Sequence, residues 1–102
     1  MARTIVTRGL AAMHPGELLR EDIVPALGRP KAEIARLLGI SRQTLYDILD
    51  EKQPVTPAMA LRLGKLCGNG PMLWLNLQRF YDLERARREV DVSGIPTLTD
   101  AA

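Results

Sequence analysis

From Pro15 onward, apolar residues recur at intervals of three and four, and each run is closed by Gly or Pro. That pattern predicts several short helices rather than strands. The first helix starts at Pro15, a residue suited to a first turn, continues through Glu17, Leu18, Leu19, Ile23 and Val24, and is ended by Pro25 and Gly28. Arg29 and Pro30 lead into a second, whose buried stripe is Ile34, Leu37 and Leu38, with Arg36 pointing away. A third over residues 41–49 divides cleanly: Leu45, Ile48 and Leu49 on one side, Arg42, Gln43, Tyr46, Asp47 and Asp50 on the other. After a loop over 52–55, Thr56 as cap and Pro57 in the first turn open a fourth helix through Ala60, Leu63, Leu66 and Cys67. Residues 68–70 break it, and Pro71 opens the fifth and longest, reaching about Val90.

The expected fold class is therefore all-α, a five-helix domain over residues 13–90, with a flexible N-terminal arm (1–12) and an irregular C-terminal tail (91–102). The fifth helix is apolar around much of its first half (Met72, Leu73, Trp74, Leu75, Leu77, Phe80, Tyr81) and charged over 84–89. A helix too apolar for one small core predicts a subunit interface, with 92–98 as a short strand in a dimer.

The joint between the second and third helices is the most informative stretch. Residues 31–50, KAEIARLLGI SRQTLYDILD, have the spacing of a helix-turn-helix whose second helix enters the DNA major groove. Ala35 stands where the helices press closest, and Gly39 can take the positive φ of a sharp turn. Ile40 plugs the joint, and Ser41 caps the next helix by accepting from a free N–H.

Composition narrows the alternatives. The chain has 102 residues, 46% of them hydrophobic but only 4% aromatic, which suits one small helical core of Leu, Ile, Val and Ala. A net charge of +2 names no partner. Its distribution says more: Arg29, Lys31, Arg36 and Arg42 face a single acid, Glu33, over 29–42. Two readings of that excess stay open, a phosphate-facing surface and an ordinary solvated helix face. Cys67 is the only cysteine, which excludes an intrachain disulfide and a Cys-based zinc site, and its place on the fourth helix is that of a small core residue. His14 is the only histidine and lacks clustered carboxylates, so capping or packing is expected of it rather than metal binding or catalysis. The glycines around Asn69 have no preceding strand and no phosphate-cradle spacing, and Trp74 reads as core. No nucleophile stands beside a base. The expectation is no enzyme, no cofactor and no metal. With no apolar leader and no long apolar run, neither secretion nor membrane spanning is expected, and a reducing cytoplasm is the default.

The chain resembles HigA-type antitoxins, a branch of the phage-repressor-like (Xre) helix-turn-helix regulators. The likeness rests on His14-Pro15-Gly16-Glu17, on Leu38-Gly39-Ile40-Ser41-Arg42-Gln43-Thr44-Leu45, on Thr56-Pro57 with Met59-Ala60-Leu61-Arg62-Leu63, and on Trp74-Leu75-Asn76-Leu77-Gln78 followed by Tyr81-Asp82-Leu83. It departs from the family at Arg29-Pro30 and Asn69-Gly70, where hydroxyl caps are usual. The resemblance implies a homodimer on a palindromic operator in double-stranded DNA within its own promoter. It also implies a partner, a HigB-type mRNA-cleaving toxin neutralised by direct binding.

Carried over by position, the resemblance places Arg42, Gln43, Tyr46 and Asp47 at the bases. Arg can pair with guanine O6 and N7, and Gln with adenine N6 and N7. Asp47 either accepts from cytosine N4 or orients Arg42. Ser41 and Thr44 are expected at phosphate oxygens near the helix N-terminus. Lys31 is expected at the backbone, with Arg36, Lys52 and Gln53 as further candidates. Three readings remain open on sequence: an autorepressing antitoxin, a stand-alone Xre-family repressor with no toxin, and a protein-interaction module that does not touch DNA.

Overall fold

A computed structural model of the chain describes residues 12–99, and among these every regular element is helical. The first helix, α1, is composite: an α-turn Pro15–Leu18, a π-helical stretch Leu19–Ile23 and a last α-turn Val24–Leu27. Then follow α2 (Lys31–Leu38), α3 (Arg42–Leu49), α4 (Pro57–Cys67) and α5 (Pro71–Glu89). No helix among the described residues is long and apolar enough to cross a membrane.

Helix ends follow local chemistry. His14 Nδ1 accepts from the Gly16 N–H at 2.8 Å, Ser41 Oγ from Thr44 at 3.0 Å and Thr56 Oγ1 from Met59 at 3.2 Å. Each cap fills one of the orphan donors of a first turn. α2 and α5 begin at Pro30 and Gly70 with no side-chain cap, as the departures in sequence imply. Asn69 turns to another task, accepting from the Trp74 indole N–H at 3.0 Å.

Two expectations are corrected. Pro25 does not end the first helix, which continues to Leu27 and stops at Gly28, φ 64°. The π-helical turn explains this: the Val24 N–H donates five residues back to Leu19 O, widening the helix just before a proline that has no N–H to give. Leu37 is not in the buried stripe but 48% exposed. At about 100° per residue, burying Ala35 together with Ile34 and Leu38 swings the inner face away from Leu37. The small Ala35 is what lets the neighbouring helix approach.

The core gathers Leu18 and Leu19 from α1, Ile34, Ala35 and Leu38 from α2, and Leu45, Ile48 and Leu49 from α3. Met59, Ala60 and Leu63 of α4 and Trp74 and Leu77 of α5 complete it, with Val55 from the loop. Leu66 and Cys67 are only half-buried at its margin. α5 packs chiefly along α4, so its second half projects beyond the core. Residues 92–98 form no strand in the single chain; a turn closes where the Ile95 N–H meets Val92 O at 2.9 Å. The arm expected over 1–12 lies outside the described residues apart from Ala12.

Candidate nucleic-acid interface

Arginines from two other helices hold the C-terminal ends of α2 and of α3. Before it, Gly39 adopts φ 74°, and the Gly39 and Ile40 N–H groups close back on Arg36 O and Ala35 O at 3.1 and 3.0 Å. This glycine turn sets the direction in which α3 leaves α2. Arg62 of α4 reaches the same turn, its Nη1 donating to Leu38 O at 2.7 Å. At the other end, Arg20 of α1 donates from Nη1 to Leu49 O at 2.6 Å and to Glu51 Oε2 at 3.2 Å. Both guanidiniums sit on carbonyls at helix C-termini, where the partial negative charge and unfilled acceptors favour a cation. Glu51 itself stands at φ 62°, a left-handed conformation unusual for a non-glycine residue. Beneath, α1 lies so close to α3 that a Cβ on Gly16 would fall on the Ile48 carbonyl oxygen.

Held this way, α3 turns Leu45, Ile48 and Leu49 inward and leaves Arg42, Gln43 and Tyr46 exposed. Asp47 and Thr44 are half-buried beside them. The Gln43 Nε2 donates to Asp47 Oδ1 at 2.8 Å. Asp47 therefore holds Gln43 and not Arg42, a pairing set by their separation of four residues on one helix face. Ser41 is exposed, but its hydroxyl donates to Thr44 Oγ1 at 2.8 Å while its oxygen caps the helix. The Thr44 hydroxyl proton is left as the outward donor at this N-terminus.

The basic residues divide in two groups. Glu33 draws Arg29 to 2.9 Å and lies 3.9 Å from Arg36, so this acid offsets part of the local excess. Lys31, exposed at the start of α2, and Arg42 form no ion pair among the described residues. Lys52 is exposed; Gln53 is half-buried and lines, with His14, Glu51 and Tyr81, a cavity of about 210 Å³.

Over residues 28–55 the chain matches the CENP-B N-terminal DNA-binding domain, the stretch from the end of α1 to the loop after α3. It is 36% identical over 85 residues to the uncharacterized HTH-type transcriptional regulator YddM of Escherichia coli, covering 83% of this chain and 89% of that protein. The chain belongs to the helix-turn-helix family of transcriptional regulators and antitoxins. Among solved members, antitoxin GraA in complex with its operator is 37% identical with TM-score 0.77, covering 87% of this chain and 92% of that one. The Pseudomonas aeruginosa antitoxin HigA with the higBA promoter is 30% identical with TM-score 0.75, covering 86% and 99%.

Within this helix-turn-helix protein, His14 has a structural place. It is buried, its Nδ1 accepts from Gly16, and its ring meets Tyr81 edge-on at 4.9 Å. Burial holds its pKa below 6.5, against the opposing pull of Glu51 and Asp82. A proton on Nδ1 would also remove the cap. Because the folded value is lowered, the unfolded chain binds more protons below 6.5, and stability contributed by His14 is present above that pH and lost on acidification. His14→Asn, which keeps a capping oxygen but does not titrate, is expected to lose less stability between pH 7 and pH 5.5 than the wild type. Urea unfolding at both pH values checks this.

Arg20, Arg62 and Gln78 are the residues that sequence reasoning passed over. Gln78 Oε1 accepts from the Val55 N–H at 2.8 Å, anchoring the loop after α3 to α5. One signal was available: a glutamine four residues after Trp74, on the same buried helix face, must find a partner.

Proposed function

We propose that this protein is a HigA-type antitoxin, a dimeric sequence-specific DNA-binding protein that represses its own operon and neutralises a HigB-type mRNA-cleaving toxin by direct binding. Residues 13–90 are its DNA-binding domain and 41–49 its recognition segment. The observation that carries the reading is the exposed Arg42, Gln43 and Tyr46 face on a helix whose C-terminus is held by Arg20 and whose preceding turn is held by Arg62. Such anchoring is what a surface that must meet base edges within about half an ångström needs. The similarity to antitoxins solved with an operator or promoter supports it.

In this reading Arg42 and Gln43 reach base edges, Tyr46 and Asp47 flank them, Thr44 and Ser41 face phosphate at the α3 N-terminus, and Lys31 adds a backbone contact. One helix is too small a contact for operator selectivity. Phe80 and Leu83 are exposed on α5, and Val90, Val92, Ile95 and Leu98 are exposed after it, an apolar set which a second copy would cover. To read two half-sites, a two-fold axis there would have to set the recognition helices about 34 Å apart, one DNA turn, which predicts an inverted-repeat operator.

The test is a gel-shift titration on the gene's own promoter fragment. Arg42→Ala is expected to weaken binding by about 5- to 100-fold and relax the preference at one position per half-site. Lys31→Ala is expected to weaken binding to all sequences alike and to lower the salt slope by about one. Equal affinity and selectivity for Arg42→Ala and wild type removes the assignment. A stand-alone Xre-family repressor is the second reading, favoured by the likeness to a transcriptional regulator over most of the chain. Co-purification with a small basic protein encoded beside the gene decides for the antitoxin; an isolated gene decides for the repressor.

A further inference from the structure

The exposed side of α3 carries a hydrogen bond whose chemistry bears on which base it reads. Gln43 and Asp47 are four residues apart, and Nε2 of Gln43 donates to Oδ1 of Asp47 at 2.8 Å. A carboxylate only accepts, whereas a carboxamide has a donor end and an acceptor end of nearly equal shape. Facing Asp47, the amide is held with its nitrogen toward the acid, and the flip that would exchange its two ends is disfavoured. One N–H of Gln43 is then engaged, and what remains for a partner is one N–H beside Oε1.

We infer that Asp47 is a positioning residue that makes Gln43 read adenine and reject guanine; this rests on the DNA-binding reading above. In the major groove adenine presents the acceptor N7 next to the N6 donor, the complement of one N–H beside one carbonyl oxygen. Guanine presents two acceptors, O6 and N7. To satisfy both, Gln43 needs both amide protons, and one is already held by Asp47. The charge points the same way: the second carboxylate oxygen of Asp47, beside the amide, repels the electron-rich edge of guanine and can accept from an exocyclic amine of adenine or cytosine. Asp47 is half-buried, while Gln43 is exposed at the head of the helix, so the acid stays behind the amide rather than replacing it at the base edge. No other side chain among the described residues shares this bond. Arg42, the adjacent donor-only side chain, covers guanine instead, and the two neighbours divide the purines between them.

The experiment is selection of bound sequences from a randomised DNA pool, at one fixed salt concentration, with wild type, Asp47→Asn, Asp47→Ala and Gln43→Ala. Thermal melts of each variant establish that it is folded; both substituted positions are on the outer side of α3. Wild type is expected to prefer adenine over guanine at one position in each half-site by roughly 10- to 100-fold. Gln43→Ala erases that preference at the same position. Asp47→Asn, which can face the amide with either end, and Asp47→Ala, which cannot face it at all, reduce it to within about threefold while leaving the salt slope unmoved. The doubly substituted Gln43→Ala, Asp47→Ala protein loses no more than Gln43→Ala alone, because both act through one contact. A selective wild type whose adenine preference survives Asp47→Asn overturns the inference alone. So does a wild type that selects guanine at the position Gln43→Ala relaxes. A wild type that selects no sequence overturns it together with the DNA-binding reading.

Discussion

Replacing Gly16 by alanine is expected to lower the unfolding free energy by roughly 3 kcal/mol or more, the upper range for forcing atoms into a packed site. The added methyl would fall on the Ile48 carbonyl oxygen, with the His14 ring 3.1 Å away on another side. Neither neighbour can yield cheaply. Ile48 O belongs to the last turn of α3, and His14 Nδ1 is tied to the Gly16 N–H itself. Relief therefore requires α1 to lift from α3, which also draws Arg20 away from Leu49 O. For a domain of this size the loss corresponds to a fall in melting temperature of about 12 °C or more. It is checked by thermal and urea unfolding; a variant within about 0.5 kcal/mol of wild type contradicts the seat described for α3. Operator affinity of the folded fraction should fall as well, since the helix that carries Arg42 and Gln43 loses its support.

Trp74→Ala is expected to cost about 3–5 kcal/mol. Trp74 is wholly buried where α5 crosses the core, and its truncation leaves a cavity and removes the indole bond to the exposed Asn69 Oδ1. Small domains hold only about 5–15 kcal/mol in all, so much of the protein would be unfolded near 37 °C. Trp74→Phe retains most of the volume and loses chiefly the hydrogen bond, with an expected cost of about 1–2 kcal/mol. The contrast with Gly16 is functional. Trp74 supports the α4–α5 side, so its variants should bind an operator with altered affinity only in proportion to the folded fraction. Sequence selectivity at low temperature, where the variant is folded, separates the two cases: unchanged for Trp74→Ala, weakened for Gly16→Ala.

The motif His14-Pro15-Gly16-Glu17 gains a physical meaning from these contacts. The histidine caps, the proline needs no N–H partner at the first turn, and the glycine allows α1 to touch α3. The sequence pattern left capping and packing open for His14 and gave no sign of the touch, because the partner carbonyl is some thirty residues away. The same holds across the site. Ser41, Gly39, Thr56 and the inward residues of α3 were legible because caps, turns and amphipathic faces are settled among neighbours within about four residues. Leu37 and Pro25 were misread for the converse reason. A stripe drawn from one helix alone does not know that Ala35 faces a close neighbour, and a proline rule assumes an unbroken α-ladder that a π-helical turn evades.

What the amino-acid order determined by itself is the five helices, most of their caps and apolar sides, and the polar set Arg42, Gln43, Tyr46 and Asp47 on the outer face of the third. Those outcomes depend on short-range hydrogen bonds and on periodicity, both written locally in the chain. Only the tertiary structure decided how that helix and the loop after it are seated. Arg20 finds Leu49 O 29 residues away, Arg62 finds Leu38 O 24 away, and Gln78 finds Val55 23 away. A long flexible arginine can reach many carbonyls, and the packing of the helices, not sequence spacing, brings it to the one whose charge and unfilled acceptor it completes.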